Sequence, residues 1–167
     1  LQRRRNTLLM QLRSGKGKYT YSNGDVYTGD FQNNLKHGIG RLIYADKSEY
    51  YGQWNAGVKS GEGMFIYPNK DIFSGNWLNG KKHGQGTYVF NATGMKYIGE
   101  WVENRFLSGK WAYPNGTYFE GHFQNNKPKG RGRWVLANGN VVEGEYDQLI
   151  VPVEGNKLDT QLIWNDK

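Results

Sequence analysis

The side chains of this chain that could support acid–base catalysis or bind a metal are three histidines and fifteen acidic residues. His37 and His83 precede equivalent glycines, Gly38 and Gly84, so their spacing belongs to a repeated unit. Catalysis would need a second titratable group that converges with them on one pocket. We interpret both histidines as polar loop residues, and His122 as an exposed residue that faces outward.

A second candidate for chemistry is the segment Gly75–Lys82, which is similar to a phosphate-binding loop with its closely spaced glycines and lysine. That loop requires serine or threonine where this chain has Lys82, and no helical pattern follows. Carboxylates such as Asp30, Glu100 and Glu145 recur at equivalent outward positions, and no two of them are expected to face each other across a cleft. We therefore expect no catalytic, metal-binding or cofactor-binding residues and predict that the chain is not an enzyme.

The glycines of that segment belong to a pattern that recurs about every 23 residues. It consists of an aromatic residue, a glycine two positions later and a second aromatic residue after two more. Six copies begin at Tyr27, Tyr50, Phe73, Tyr97, Phe119 and Val142, at intervals of 23, 23, 24, 22 and 23 residues. A period of this size indicates a repeat protein, whose function usually belongs to a surface rather than to one residue.

Each unit predicts a β-hairpin. A Gly-x-Gly pair with bulky residues two and four positions later forms one strand, and the aromatic motif forms the next, because alternate side chains of a strand share a face. Turn residues such as those of 22–25 separate the two strands. The predicted hairpins span residues 15–31, 38–54, 61–77, 84–101, 109–123 and 130–146. The fold class is all-β, an elongated single-layer antiparallel meander of six stacked hairpins.

The glycines of each hairpin are expected to let a neighbouring ring lie across the backbone. Loops such as Gln32–His37 are expected to join consecutive hairpins. The fourth unit, counted from the aromatic motif that begins at Tyr97, departs from the pattern. The turn before it, residues 91–95, is one residue longer, and Leu107 stands where its Gly-x-Gly pair would have the first glycine. We predict a local change in sheet twist between Trp101 and Trp111.

The ends of the chain lack the repeat. We assign residues 1–14 to a basic N-terminal leader, 15–146 to the array and 147–167 to a C-terminal extension. Residues 1–18 contain six basic and no acidic residues, so the remaining 16 basic and 15 acidic residues give the rest a charge of only +1. This balance does not support a nucleic-acid-binding surface. Leu8, Leu9 and Leu12 have helix-like spacing and could cap the first hairpin.

The unit resembles the MORN repeat (membrane occupation and recognition nexus). The resemblance is carried by the motif Tyr97-x-Gly-x-Trp101 and by the linking segment Asn79–Gly86, and six cognate copies cover residues 15–146. A narrower resemblance, to the MORN subunits of the radial spoke head of motile cilia, is carried by residues 81–88, 92–97 and 123–130. It implies a scaffold subunit of the axonemal cytoskeleton in cilia and flagella.

That resemblance also implies partners and a location. The chain is expected in the cytoplasm, at the axoneme, in contact with other radial spoke head subunits and facing the central apparatus. A second copy of the chain and acidic surfaces of the central apparatus are further candidate partners. The alternative function is a MORN module that recruits a protein to acidic, phosphoinositide-containing membranes, for which the basic leader provides an argument.

Three surfaces are candidates for partner binding. The first is the aromatic face, with Tyr44, Trp54, Tyr67, Trp77, Phe90 and Trp101. The second is a basic ladder of Lys127, Lys129, Arg131 and Arg133, which alternation places on one face. The third is formed by the ends of the array, where Trp164 lies in a short apolar piece suited to a sheet edge or a partner pocket. The competing interpretations are that the rings pack only on one another and that the ladder is solvated.

Overall fold

The computed structural model describes residues 13–167, which form one antiparallel sheet of 13 strands in which every strand is hydrogen-bonded to its neighbours in sequence. The strands are β1 (Gly15–Thr20), β2 (Val26–Gln32), β3 (Leu35–Ile43), β4 (Glu49–Asn55), β5 (Val58–Ile66), β6 (Ile72–Leu78), β7 (Lys81–Val89), β8 (Lys96–Val102), β9 (Arg105–Ala112), β10 (Tyr118–Gln124), β11 (Lys127–Val135), β12 (Val141–Val153) and β13 (Lys157–Asp166). The all-β meander predicted from the repeat is confirmed. This part of the chain has no helix that could cross a membrane.

The connections between hairpins are shorter than expected. We expected Gln32–His37 to be a loop, but β3 already begins at Leu35, so that prediction is wrong. The turn between β6 and β7 consists of Asn79 and Gly80, both with positive φ (49° and 79°). A two-residue turn of this kind matches the twist of the flanking strands and allows pairing to resume at once. Residues taken for loops therefore belong to the sheet.

One face of the sheet carries the core, which is almost entirely aromatic. Its buried residues are Tyr27, Phe31, Leu42, Tyr50, Trp54, Phe73, Trp77, Trp101, Phe106, Phe119, Phe123 and Tyr146. The opposite face mixes half-buried aliphatic residues such as Ile43 with exposed charges such as Lys18. A single layer has no second sheet to bury against, so aromatic rings, which bury much area each, supply the apolar contact.

Glycines make room for these rings, as the sequence predicted. In each regular unit, two glycines of adjacent strands lie opposite each other, as Gly52 does with Gly63. The ring of Tyr50 lies across this pair, and a Cβ atom on Gly63 would lie only 2.5 Å from Tyr50 Cζ. Tyr50 Oη then donates a hydrogen bond of 2.9 Å to the carbonyl oxygen of Gln53. Only glycine leaves this space open.

The fourth unit is irregular in the structure too. Its register shift falls between Glu100 and Trp101, whereas the third unit has it between Gly75 and Trp77. Tyr97 does not cover its glycines but stacks on Phe106, with ring centres 4.8 Å apart and planes 4° from parallel. The predicted change in sheet twist there stays a prediction.

The two ends differ in what the structure describes. The leader lies outside the described residues except for Arg13 and Ser14, as does the proposed cap by Leu8, Leu9 and Leu12. At the other end, β12 runs through residue 146 to Val153 and β13 pairs along it. The segment assigned to a C-terminal extension thus adds a strand to the sheet edge.

Candidate interaction surface

The aromatic core is a chain of edge-to-face contacts from one hairpin to the next. Tyr50 lies 5.3 Å from Trp77 of the following unit, and Phe73 lies 5.2 Å from Trp101, with planes near perpendicular in both pairs. The indole Nε1 of Trp77 donates a hydrogen bond of 3.1 Å to the Gly63 carbonyl oxygen, and Trp54 and Trp101 make equivalent bonds to Gly40 and Gly86. The tryptophans are thereby fixed in position as well as buried.

The predicted aromatic contact residues thus fall into two groups. Trp54, Trp77 and Trp101 are only 2–5 % exposed, so their area is already used inside the sheet. Tyr44, Tyr67 and Phe90 are half-buried and form an outer row along the same face. Burial raises the pKa of Tyr44 to about 12, and the nearby charges of Asp25 and Asp46 add to this effect. The outer row is therefore the partly exposed aromatic area of this face.

A row of lysines, absent from the predicted site, runs beside these rings. Each lysine follows a tight turn between hairpins and lies opposite the second aromatic residue of the repeat. The pairs are Phe31 with Lys36, Trp54 with Lys59 and Trp77 with Lys82. We call Lys36, Lys59 and Lys82 the lysine row. All three are half-buried.

The ammonium groups of the lysine row lie over ring faces. Lys59 Nζ is 4.4 Å from the ring centre of Trp77 and 4.7 Å from that of Phe65. Lys82 Nζ is 4.9 Å from the ring centre of Trp101 and donates a hydrogen bond of 3.2 Å to Tyr67 Oη. The negative faces of the rings attract these cations.

Burial disfavours the charged form of two lysines of the row, Lys59 and Lys82. It lowers the pKa of Lys59 to about 8, with the charge of Lys82 acting in the same direction, and it lowers the pKa of Lys82 to about 8. Within residues 13–167, the six ion pairs all involve other cations. The lysine row is therefore positive charge held against aromatic rings with no carboxylate beside it.

The row ends at the irregular fourth unit. Phe106 lies opposite Trp101, where a lysine would follow the earlier pattern, and Pro128 takes the same place opposite Phe123. Both Phe106 and Pro128 are fully buried. A cleft of about 250 Å³ lies at this transition, between Lys82 and the rings of the fourth unit. The face thus changes from cationic to apolar about halfway along the array.

The predicted basic ladder is mostly paired within the chain. Three of its four cations form ion pairs with residues of other strands: Lys127 with Asp159, Lys129 with Asp147 and Arg133 with Glu120. Arg131 is exposed and lies opposite Glu145 in the strand register. These exposed pairs neutralise the ladder locally, which favours the interpretation as a solvated edge over that as an acid-binding surface.

The last predicted contact residue, Trp164, packs at the end of the core. Its ring lies 4.9 Å from that of Tyr146, and it covers Gly144 as Tyr50 covers Gly63. The sequence predicted a sheet-edge position for Trp164 because this residue lies in a short apolar segment of a polar tail. The signal for the lysine row was the recurrence of lysine at an interval of 23 residues, in segments that we had taken for loops.

The geometry agrees with the comparison to known families. The MORN repeat profile matches residues 12–26, 27–49, 50–72, 73–92, 97–106 and 119–141, which together make up more than half of the chain. The chain therefore belongs to the MORN-repeat family. A comparison of the chain with curated proteins gives no match. Among residues 13–167, no cluster of three or more histidine or acidic side chains is arranged to hold a metal ion.

Proposed function

We propose that this chain is a non-enzymatic scaffold that binds other proteins through the aromatic face of its hairpin array, as a subunit of the radial spoke head of motile cilia and flagella. The observation that carries the scaffold function is the outer row of half-buried rings beside lysines that form no ion pair within residues 13–167. This face therefore has both apolar area and charge to contribute to a partner. MORN arrays serve as protein-interaction or membrane-binding modules, and the proposal takes the first of these.

The spoke-head assignment rests on the local sequence resemblance to radial spoke head protein 1 or a sister MORN subunit of the same head. The partners would be other spoke-head subunits, with a second copy of the chain and acidic central-apparatus surfaces as further candidates. The residues assigned to partner contact are those of the aromatic face, chiefly Tyr44, Tyr67 and Phe90, with the ladder and Trp164 as secondary candidates. The location would be the axoneme.

The second candidate function is recruitment to acidic membranes. The basic leader favours it, because its 14 residues contain four arginines and no acidic residue and could bind anionic headgroups. A test compares fractionation of the tagged full chain in ciliated cells with that of a variant without the leader, residues 1–14. Recovery of both with axonemes, after detergent removes membranes, is the expected result. Recovery with membranes alone, lost on removal of the leader, would replace the scaffold with the membrane module.

A further inference from the structure

We propose that the lysine row is a binding site for an acidic amphipathic α-helix of a protein partner, with carboxylates at every seventh residue that reach Lys36, Lys59 and Lys82 in turn. This inference rests on the proposed scaffold function and deepens it, because it names the chemistry of the partner segment. It concerns only the first half of the array, where the face is cationic.

The first argument is charge complementarity. Elsewhere in residues 13–167, basic side chains such as Arg41 and Lys127 pair with carboxylates, here Glu49 and Asp159. The lysine row has rings and phenol oxygens around it instead, so each ammonium retains donor capacity that the chain does not use. A half-buried cation without a carboxylate is costly, and an incoming carboxylate would relieve this cost with a charge-assisted hydrogen bond.

The second argument is spacing. Successive lysines are two strands apart, and strands in a sheet are spaced by about 4.7–4.9 Å, so one lysine follows the next at roughly 9.5 Å. Seven residues of an α-helix rise roughly 10.5 Å and bring the side chain back to nearly the same face. The small difference is within the reach of a lysine side chain. Glutamates at heptad spacing can therefore meet all three lysines at once.

The third argument concerns the backbone of the partner. The strand hydrogen bonds of this sheet are used between neighbouring strands, and its aromatic face presents side chains only. An extended or polyproline-type segment on this face would leave its own peptide groups against rings with few partners, which costs free energy. A helix satisfies its backbone internally. Apolar residues beside its glutamates would cover Tyr44 and Tyr67.

The fourth argument is the end of the row. At Phe106 the lysine position becomes a buried ring, and the cleft beside Lys82 opens next to the half-buried ring of Phe90. A helix seated on the lysine row would thus place its last turn at an apolar cleft. This arrangement fixes both the register of the helix and the half of the array that it covers.

The test uses the full chain and a synthetic alanine- and glutamine-rich helix that carries three glutamates at heptad spacing, with leucines between them on the same face. Binding is followed by tryptophan fluorescence and titration calorimetry, because Trp54, Trp77 and Trp101 lie under the row. Two control peptides have the glutamates at every fifth position or replaced by glutamine. We expect the heptad peptide to bind at least about tenfold more tightly than either control.

The matched protein variants separate the row from net charge. The triple variant Lys36→Met, Lys59→Met and Lys82→Met keeps the packing of the aliphatic stems and should weaken heptad-peptide binding by about tenfold or more. The control variant Lys18→Met, Lys47→Met and Lys96→Met loses the same charge at exposed positions. Its affinity should stay within about twofold of the unchanged chain, since distant exposed charges are screened by salt.

A measurement without mutation covers the case of a misfolded variant. Raising the pH from about 7 to about 9.5 neutralises Lys59 and Lys82, whose pKa values are about 8, while the glutamates stay ionised. Affinity for the heptad peptide should fall in this range, and affinity for the glutamine peptide should not.

Equal binding of the heptad and glutamine peptides would overturn the acidic-helix proposal and leave the scaffold function standing. The same holds if the full chain stays with axonemes but the peptide fails to bind. Binding of vesicles containing phosphatidylserine, lost in the lysine-row triple variant while no peptide binds, would overturn it in favour of a lipid surface. Failure of the proposed function itself would show in the fractionation experiment, which does not involve the lysine row.

Discussion

The indole Nε1 of Trp77 donates a hydrogen bond of 3.1 Å to the carbonyl oxygen of Gly63 on the neighbouring strand. Trp77→Phe keeps most of the buried ring and removes this donor. We expect a loss of about 1–2 kcal/mol in the free energy of unfolding, because a partly buried acceptor loses its partner. Urea denaturation measures the change. Trp111→Phe is the control. Within residues 13–167, hydrogen bonds are donated by the indoles of Trp54, Trp77, Trp101 and Trp134, and not by that of Trp111. An equal loss of stability in the control would contradict the hydrogen-bond explanation.

The close approach of Tyr50 to Gly63 predicts that a larger residue in place of this glycine destabilises the sheet. A Cβ atom there would lie 2.5 Å from Tyr50 Cζ, so Gly63→Ala should cost about 1–3 kcal/mol through overpacking. Gly17 is the matched control, because it occupies the same repeat position on β1 and no ring of the described residues covers it as Tyr50 covers Gly63. The atom nearest to a Cβ on Gly17 would be a ring carbon of Phe31, at 3.4 Å. Gly17→Ala should therefore change the unfolding midpoint little, and equal destabilisation of the two variants would contradict the steric explanation.

Lys59 and Lys82 should make the protein more stable in mildly alkaline solution. Burial lowers the pKa of both lysines to about 8, against 10.5 in the unfolded chain. Between these values the unfolded chain binds more protons, so the free energy of unfolding rises with pH. Urea midpoints at about pH 7.5 and 9.5 measure the increase. Lys59→Met with Lys82→Met should remove most of it, and an unchanged increase would exclude these lysines as its source.

The increase in the free energy of unfolding with pH should turn into a decrease at higher pH. Burial raises the pKa of Tyr27 and Tyr44 to about 12, against 10.0 in the unfolded chain. Above pH 10 the unfolded chain loses these protons first, so the stability that depends on the neutral phenols declines. We expect a maximum of stability between the lysine and tyrosine transitions, read from unfolding midpoints across the range. Stability that continued to rise above pH 11 would contradict it.

The buried carboxylate of Asp71 depends on Tyr88, whose Oη donates a hydrogen bond of 2.7 Å to it. Burial alone would raise the pKa of Asp71, but hydrogen bonds from Tyr88, Asn91 and Asn69 bring it below its ordinary value. Tyr88→Phe should therefore cost about 1–3 kcal/mol at neutral pH. The loss should shrink as the pH falls through the ordinary range of aspartate, where the carboxyl group becomes protonated. Tyr51→Phe, at an exposed position, should show no such loss at either pH.

The repeat made much of this fold predictable. Alternation around the Gly-x-Gly pairs placed residues such as Tyr50 and Gly63 on one face, and the recurrence at 23 residues gave the meander. The lysine row was not predicted, because Lys36 and its equivalents lie in segments assigned to loops, where alternation was not applied. The tight turn at Asn79 and Gly80, with positive φ at both residues, lets the strand resume early enough to place Lys82 against Trp101.

The fourth unit shows a different limit of sequence-based prediction. Its missing glycine and altered spacing marked it as irregular, but the structural result depends on side-chain packing. Phe106 fills the space beside Trp101, and Tyr97 stacks on it instead of covering the glycines of its own unit. Such an exchange depends on which ring fits a given space, and spacing alone does not contain that information.

The consecutive order of the 13 strands has a mechanical consequence. The backbone hydrogen bonds of each strand go to its neighbours in sequence, so a force that pulls the two ends of the sheet apart across the strands acts on the ladders in series. Because the same force passes through every ladder in turn, the weakest ladder sets the force at which the array opens. Adding or removing one regular unit would change the length of the array by roughly 9.5 Å. It would leave the opening force unchanged, because that force depends on the weakest ladder and not on the number of ladders.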